Sequence, residues 1–371
     1  MTESMSFTHL VLFGALVSAG VGIVVLAIMR VVTGRRPGGV EVLAAAVVSG
    51  AAAMVQVVMV SDGFGRLHVA YLWMFVTLPI IGATVLLAAA VPALRPRQWG
   101  AVAAGGLLAL GAVGLYATHL EPRWIRTERV TLDVGPVDGG RTLRIGVLAD
   151  LQTDGIGSYE YDAVDRLMAE EPDVILLPGD YFQSDGPDFE AALPELRALL
   201  GRLEAPGGVY LTEGDVDSPE RMAFMSDGLD NLTWLDDEVV TIEVAGQRVH
   251  LGGISVRFRD PSAQATIDEL ARIDNGDLRI LVSHRPDAAF HVPEGGVELV
   301  VAGHTHGGQV AIPLIGPPIT MSNVPRAVAA GGLHEIDGNP IYLSNGVGME
   351  RATAPQVRFN SRPSVGIITL T

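Results

Sequence analysis

The chain has 371 residues, of which 25 are basic and 42 acidic, a formal net charge of −17, and no cysteine. Every basic residue is arginine, so P-loop and Schiff-base chemistry are excluded with lysine, while thiolate metal sites, disulfides and cysteine nucleophiles are excluded with cysteine. Residues 1–120 carry six arginines against three acids, and residues 121–371 carry 19 against 39, a net of −20 that repels phosphate backbones and argues against a nucleic-acid partner.

In chain order, four apolar stretches come first, at 10–28, 42–60, 71–91 and 100–117. Each approaches the ~20 residues a helix needs to cross a bilayer, and charge falls between them. A signal peptide accounts for the first stretch but not for three more. The expected element is therefore an α-helical membrane domain of four transmembrane helices. Arg30, Arg35 and Arg36 separate the first two stretches, and Arg95 and Arg97 the last two, whereas only Arg66 lies between the second and third. The positive-inside rule then places the C-terminal domain outside the cytoplasm, with Arg123, Arg126 and Arg129 weakening the bias. Trp73, Trp99 and Trp124 near the span ends suit the interface. Gln56 is the one strongly polar side chain deep in a span, so these helices read as an anchor rather than a transport path.

From 143 onward, short apolar runs end in an acid or a histidine. The run 143–149 meets Asp150, 174–178 meets Asp180, 209–212 meets Asp215, 280–283 meets His284, and 299–302 meets His304. Amphipathic helices are expected at 159–170, 188–203 and 261–273, and a hairpin at 239–244 and 248–254. Alternating strands and helices imply an α/β domain whose ligands bind at the carboxyl ends of the strands. One aspartate after a strand is ordinarily a cap or turn residue. Five oxygen and imidazole donors at equivalent strand ends are what a shared metal site requires. In "VVAGHTHGGQV", His304 and His306 stand two apart, the spacing that faces one side of an extended segment, and Gly307 and Gly308 allow close backbone approach.

The ordered segments "ADLQTD", "PGDYFQ", "EGDVDS", "VSHRPD" and "AGHTHGGQV", with the tail "YLSNGVGMERATAPQVRFNSRPSVGIITL", resemble the calcineurin-like metallophosphoesterases, especially their membrane-anchored bacterial branch. The resemblance covers 143–371. It implies a β-sandwich flanked by helices, preceded by a four-helix transmembrane anchor over 1–120 and a linker with a leading strand over 121–142. It implies two divalent metal ions, of the Mn, Fe, Zn or Mg kind. The first would take Asp150, Gln152, Asp180 and His306; the second would take Asp180, Asp215, His284 and His304, with Asp180 bridging. Two cations so held clamp a phosphoryl group and generate a hydroxide nucleophile.

Three positions depart from the family pattern. Gln152 stands for a histidine and Asp215 for an asparagine, while Val216 replaces the histidine that helps protonate the leaving group. An amide oxygen is a harder, weaker donor than imidazole, so the first site is expected to shift toward Mn²⁺, Mg²⁺ or Ca²⁺ and to fill less readily than the second. Asp215 adds charge, favouring a cation and opposing an anionic substrate. Loss of a general acid costs ~10²–10⁴ in rate. Asp154 and Asp217 are nearby acids that read first as solvated loop carboxylates. The expected function is a membrane-anchored, extracytoplasmic phosphoesterase of weakened or altered activity on a phosphomono- or diester, with a lipid or cell-envelope precursor suggested by location alone. The alternative is a non-catalytic binding or scaffold protein. The bilayer is the one further partner implied, and no protein partner is.

Overall fold

The computed structural model describes residues 7–60, 62–135, 142–184 and 186–371. They divide into two units, one of Met1–Leu120 with Glu350–Gln356 and one of Glu121–Met349 with Val357–Thr371. Residues 136–141 of the expected linker lie outside the described residues.

The first unit is helical: α1 (Phe7–Thr33), α2 (Gly39–Met59), α3 (Gly63–Leu72), α4 (Leu78–Ala88) and α5 (Gln98–Leu115), with α3 and α4 joined through a π-helical turn at Trp73–Thr77. They supply four apolar rods, Phe7–Thr33, Gly39–Met59, Gly63–Ala88 and Gln98–Arg123, each long enough to span a membrane. Small residues let the helices approach. A Cβ on Gly82 of α4 would lie 2.4 Å from the Ala104 carbonyl of α5. Gln56 has a structural role, donating from Nε2 to the Gly14 carbonyl at 2.9 Å and to Ser18 Oγ at 3.1 Å, which ties α2 to α1.

The second unit opens with β1 (Arg126–Leu132) and β2 (Leu143–Val147), then α6 (Ser158–Met168), β3 (Val174–Pro178), α7 (Gly186–Leu200), β4 (Val209–Thr212), α8 (Pro219–Ser226) and β5 (Leu232–Trp234). It continues through β6 (Glu238–Val244), β7 (Gln247–Ile254), α9 (Pro261–Ala271), β8 (Leu278–Ser283), β9 (Leu299–Ala302), α10 (Arg326–Ala329), β10 (Gly332–Ile336), β11 (Asn339–Leu343) and β12 (Ser364–Leu370). The strands form two sheets of six, in the orders β1-β12-β2-β3-β4-β5 and β10-β11-β9-β8-β7-β6.

Period-two alternation sorts the apolar side chains into layers. Val174 and Leu176 of β3, with Ile280 and Val282 of β8, fill the interior between the sheets. Ile175 and Leu177 turn the other way and pack with Ala163, Val164 and Leu167 of α6 and with Leu196 and Leu199 of α7. Leu281 and Val300 face outward from the second sheet against Ile267 and Leu270 of α9. This is a β-sandwich with helices on both outer faces, as the resemblance implies. Strands β2, β3 and β4 run parallel in one sheet, and β8 and β9 run parallel in the other.

Candidate metal centre

Each expected ligand follows the carboxyl end of a strand: Asp150 after β2, Asp180 after β3, Asp215 after β4, His284 after β8, and His304 and His306 after β9. The turns that hold them are tight. Asp150, Gln152, Asp180, His304 and His306 all adopt positive φ, between 33° and 74°. L-residues reach that region at a cost of order 1 kcal/mol or more, so five together mark a functional cluster held by its surroundings. Gly214 is required here, because a Cβ at that position would stand 2.2 Å from the Asp180 nitrogen and 2.3 Å from its Oδ1.

Two sets of donors converge. Asp215, His284 and His304 offer ligand atoms within 4.8 Å of one another, and so do Asp150, Asp180 and His284. His284 is therefore shared, whereas the resemblance gives that place to Asp180. His306 belongs to neither set. The expectation that His304 and His306 face one side presumed an extended segment. The chain turns sharply there instead, with positive φ at both and at Gly307, and two-residue alternation no longer applies. His304 faces Asp215, with Nδ1 2.9 Å from Asp215 Oδ2, while His306 lies buried with Nδ1 3.5 Å from Arg358 Nη2. Gln152 is buried beside the site and donates from Nε2 to Gln183 Oε1 at 3.0 Å.

The donor chemistry fits a cation. His284 Nδ1 lies 2.9 Å from the Pro178 carbonyl, which can only accept, so Nδ1 carries the hydrogen and donates it. Nε2 then faces Asp180 Oδ2 and Asp215 Oδ2, each at 3.5 Å, and makes no hydrogen bond among the described residues. Asp150 Oδ2 is likewise buried without a hydrogen-bond partner. A nitrogen lone pair and carboxylate oxygens so arranged repel unless a cation or a proton lies among them. The electrostatics agree. Burial alone would lower the His284 imidazolium, but Asp180, Asp215 and Asp150 overcome it and push its pKa up to about 10. Burial, with the Asp180 charge added, raises the Asp150 carboxyl to about 7. Asp215 is driven the other way: burial is outweighed by the His284 and His304 imidazoles and by Arg285, which hold it well below the usual carboxylate range. Burial, reinforced by Arg358, keeps His306 neutral.

Three neighbours of the site were not read from the sequence. Arg285 grips Asp215 with both Nε and Nη2, Nε lying 3.0 and 3.2 Å from the two carboxylate oxygens. Arg358 is fully buried and donates to carbonyls, those of His306 at 3.3 Å, Ser361 at 3.0 Å and Asn345 at 2.8 Å among them, fixing the turn after β9. Asp287 accepts from Ser322 Oγ and from Asn323 N, ordering the loop whose Met321 carbonyl lies 3.0 Å from His304 Nε2. Asp217 is no solvated carboxylate: burial, with Asp180, pushes it up to about 7, yet its two oxygens accept from the main-chain N–H groups of Asp180, Tyr181 and Gly214. It clamps two ligand turns together. Asp154 is exposed.

A family model described as calcineurin-like phosphoesterase matches residues 143–308. Over those residues the chain is similar to the calcineurin-like phosphoesterases. The metallophosphoesterase YkuE of Bacillus subtilis is 29% identical over 283 residues, covering 74% of this chain and 94% of that protein. The phosphodiesterase YaeI of Escherichia coli is 27% identical over 267 residues, covering 69% of this chain and 92% of that one. Among solved structures, a dimetal phosphatase from Danio rerio is 14% identical over 55% of this chain and 88% of its own, with a TM-score of 0.33.

Proposed function

We propose that the protein is a membrane-anchored, metal-dependent phosphoesterase whose catalytic domain faces away from the cytoplasm and cleaves a phosphomono- or diester. The observation that carries this reading is the pair of donor sets meeting at His284, whose Nε2 has two carboxylate oxygens 3.5 Å away and no hydrogen bond among the described residues. Asp215, His284 and His304 would hold one ion, and Asp150 and Asp180, with His306 and Gln152 beside them, would line the place of a second. Divalent ions so held polarise a phosphoryl group and supply a hydroxide nucleophile. The chain contributes fixed charge, the strained turns that aim the donors, and Arg285 beside the place of the anion. It contributes no proton for the leaving group at Val216, whose main-chain N–H donates to Asp180 Oδ1 at 3.0 Å. The arginine asymmetry of the spans supports the outward orientation, and a substrate carried by a lipid or an envelope precursor would follow from that location.

The test is metal analysis of the purified full chain together with hydrolysis of a bis-aryl phosphodiester. At least one divalent ion per chain, and turnover abolished by chelation and restored by Mn²⁺, are expected. Bound metal with no turnover above the chelated control would leave a binding or scaffold protein, the reading that Val216 favours.

A further inference from the structure

A cleft of about 390 Å³ shares Asp215 with the metal centre and is lined also by Arg285, Arg257, Phe258 and Arg259. The segment "SVRFRD" that follows β7 thus brings two arginines to the mouth of a site that already holds a third. This gathering stands out in a domain where acids outnumber arginines two to one.

The three guanidiniums differ in how firmly they are engaged. Arg285 is bound to Asp215. Arg257 pairs with Asp260 at 3.3 Å, with side chains 67% and 52% exposed, so the pair is of the surface kind, worth ~0–1 kcal/mol and readily exchanged for a stronger anion. Among the described residues no carboxylate lies within 4 Å of Arg259, whose guanidinium lies over the Phe258 ring, 5.2 Å from its centre. Asp287, the remaining acid of the cleft, is occupied by Ser322 and Asn323. An anion entering from the metal centre therefore meets one guanidinium without a carboxylate partner among the described residues, Arg259, and one held only by a surface pair, Arg257. The volume lies within the ~300–1,000 Å³ of ligand pockets and leaves room beyond one phosphate.

Val216 bears on the same choice of ligand. An alkyl ester expels an oxygen that needs a proton, and no side chain at that position supplies one. A diphosphate expels a phosphomonoester, whose second pKa is ~6 and which leaves as an anion at neutral pH. Arginines placed where that anion forms do the work a general acid does for an alkoxide.

We propose that the cleft of Arg257, Arg259 and Arg285 binds the second phosphate of a diphosphate diester, and that the bond cleaved is the phosphoanhydride. A water oxygen bonds to the phosphorus at the metal centre, the bond from that phosphorus to the bridging oxygen breaks, and its electron pair leaves with the second phosphate. Two phosphomonoesters result, and the proton lost by water passes to solvent. The proposal rests on the hydrolytic reading above, so binding and turnover are measured separately.

The full chain in nanodiscs, loaded with Mn²⁺, is titrated calorimetrically with methylenediphosphonate and with inorganic phosphate. It is assayed on a nucleoside diphosphate sugar and on a bis-aryl phosphodiester. Methylenediphosphonate is expected to bind at least ~10-fold tighter than phosphate. Arg259→Gln should remove ~5–10-fold of that preference with metal content unchanged, the size of one charge-assisted contact at a partly exposed site. The diphosphate sugar should be cleaved faster than the aryl diester, and Arg259→Gln should slow only the former. Aryl turnover without diphosphonate preference, or a preference indifferent to Arg259→Gln, overturns the proposal and leaves the phosphoesterase reading standing. If neither substrate is cleaved, the phosphoesterase reading fails. Arginine-dependent diphosphonate binding would then support the cleft as a diphosphate site, and its absence would overturn that too.

Discussion

On one side of His284 stand Asp215 and His304; on the other stand Asp150 and Asp180, with Gln152 N donating to the Asp180 carbonyl at 2.9 Å. Both halves are built from turns after parallel strands, and both differ from the family pattern. On the Asp215 side the departure adds a negative charge, and the structure answers it with Arg285, which holds both carboxylate oxygens. On the Asp150 side the departure substitutes an amide for an imidazole, and the neighbour that meets it is another amide, Gln183. Asp217 does not replace the proton donor lost at Val216, because it spends its oxygens on three main-chain N–H groups. A change of charge can be balanced by one residue at a distance. A change of ligand type or of proton donor has to be balanced at the reacting atoms, which makes the Asp215 half the better preserved.

The largest effect should come from the residue the halves share. Loss of His284 removes a donor from both sets, whereas loss of His304 removes one from the Asp215 set only. Substituting a partner that merely orients a ligand costs ~10–100-fold in metal affinity, so His284→Ala is expected to exceed ~10² and to lower occupancy at both places. His304→Ala should lower it at one. Metal content by mass spectrometry and affinity by calorimetry decide this. Equal losses in the two variants would erase the distinction drawn here.

The next effect concerns chemistry rather than binding. Val216→His combined with Gln152→His restores the two imidazoles of the family pattern. Hydrolysis of alkyl phosphodiesters should rise by up to ~10², the range of a returned general acid, with aryl diesters changing far less. A uniform rise in both substrates would mean that metal occupancy, through Gln152, limits the rate instead. The single variants separate the two causes.

Much of this site was legible because a strand in this fold is a run of apolar residues and its ligand is the first acid or histidine beyond it. Asp150, Asp180, His284 and His304 follow that grammar, whereas after β4 the first acid is Glu213 and Asp215 comes second. What the sequence hid depends on contacts far along the chain. Arg285 meets Asp215 across 70 residues, and Arg358 reaches the His306 carbonyl across 52. No local period marks an arginine whose partners are main-chain carbonyls. The direction of His306 is not legible in the letters, because period-two alternation holds in a strand and the chain turns at His304, His306 and Gly307, all at positive φ. Strands β10 and β11 are hard to read as separate elements, since "GLHEI" carries two apolar residues in five and "NPIYL" a proline.

The smallest effect tests whether Arg285 truly offsets the charge at Asp215. Its guanidinium sits against the carboxylate that a cation would take, so it competes with the metal even as it attracts an anionic substrate. The pair is partly exposed, 42% for Arg285 and 26% for Asp215, which limits the interaction to about 1 kcal/mol. Arg285→Gln should therefore tighten divalent-ion binding at the Asp215 set by at most ~5-fold and weaken binding of an anionic substrate by a similar factor. Asp215→Asn, the residue of the family pattern, removes the carboxylate charge instead and should weaken the ion. If the two changes act on one another, Arg285→Gln in the Asp215→Asn background will have almost no effect on the metal, because there is no carboxylate left for the guanidinium to occupy. A full effect of Arg285→Gln in that background would show that the arginine acts on the cation through its field alone, and the balance between the two residues would be coincidental.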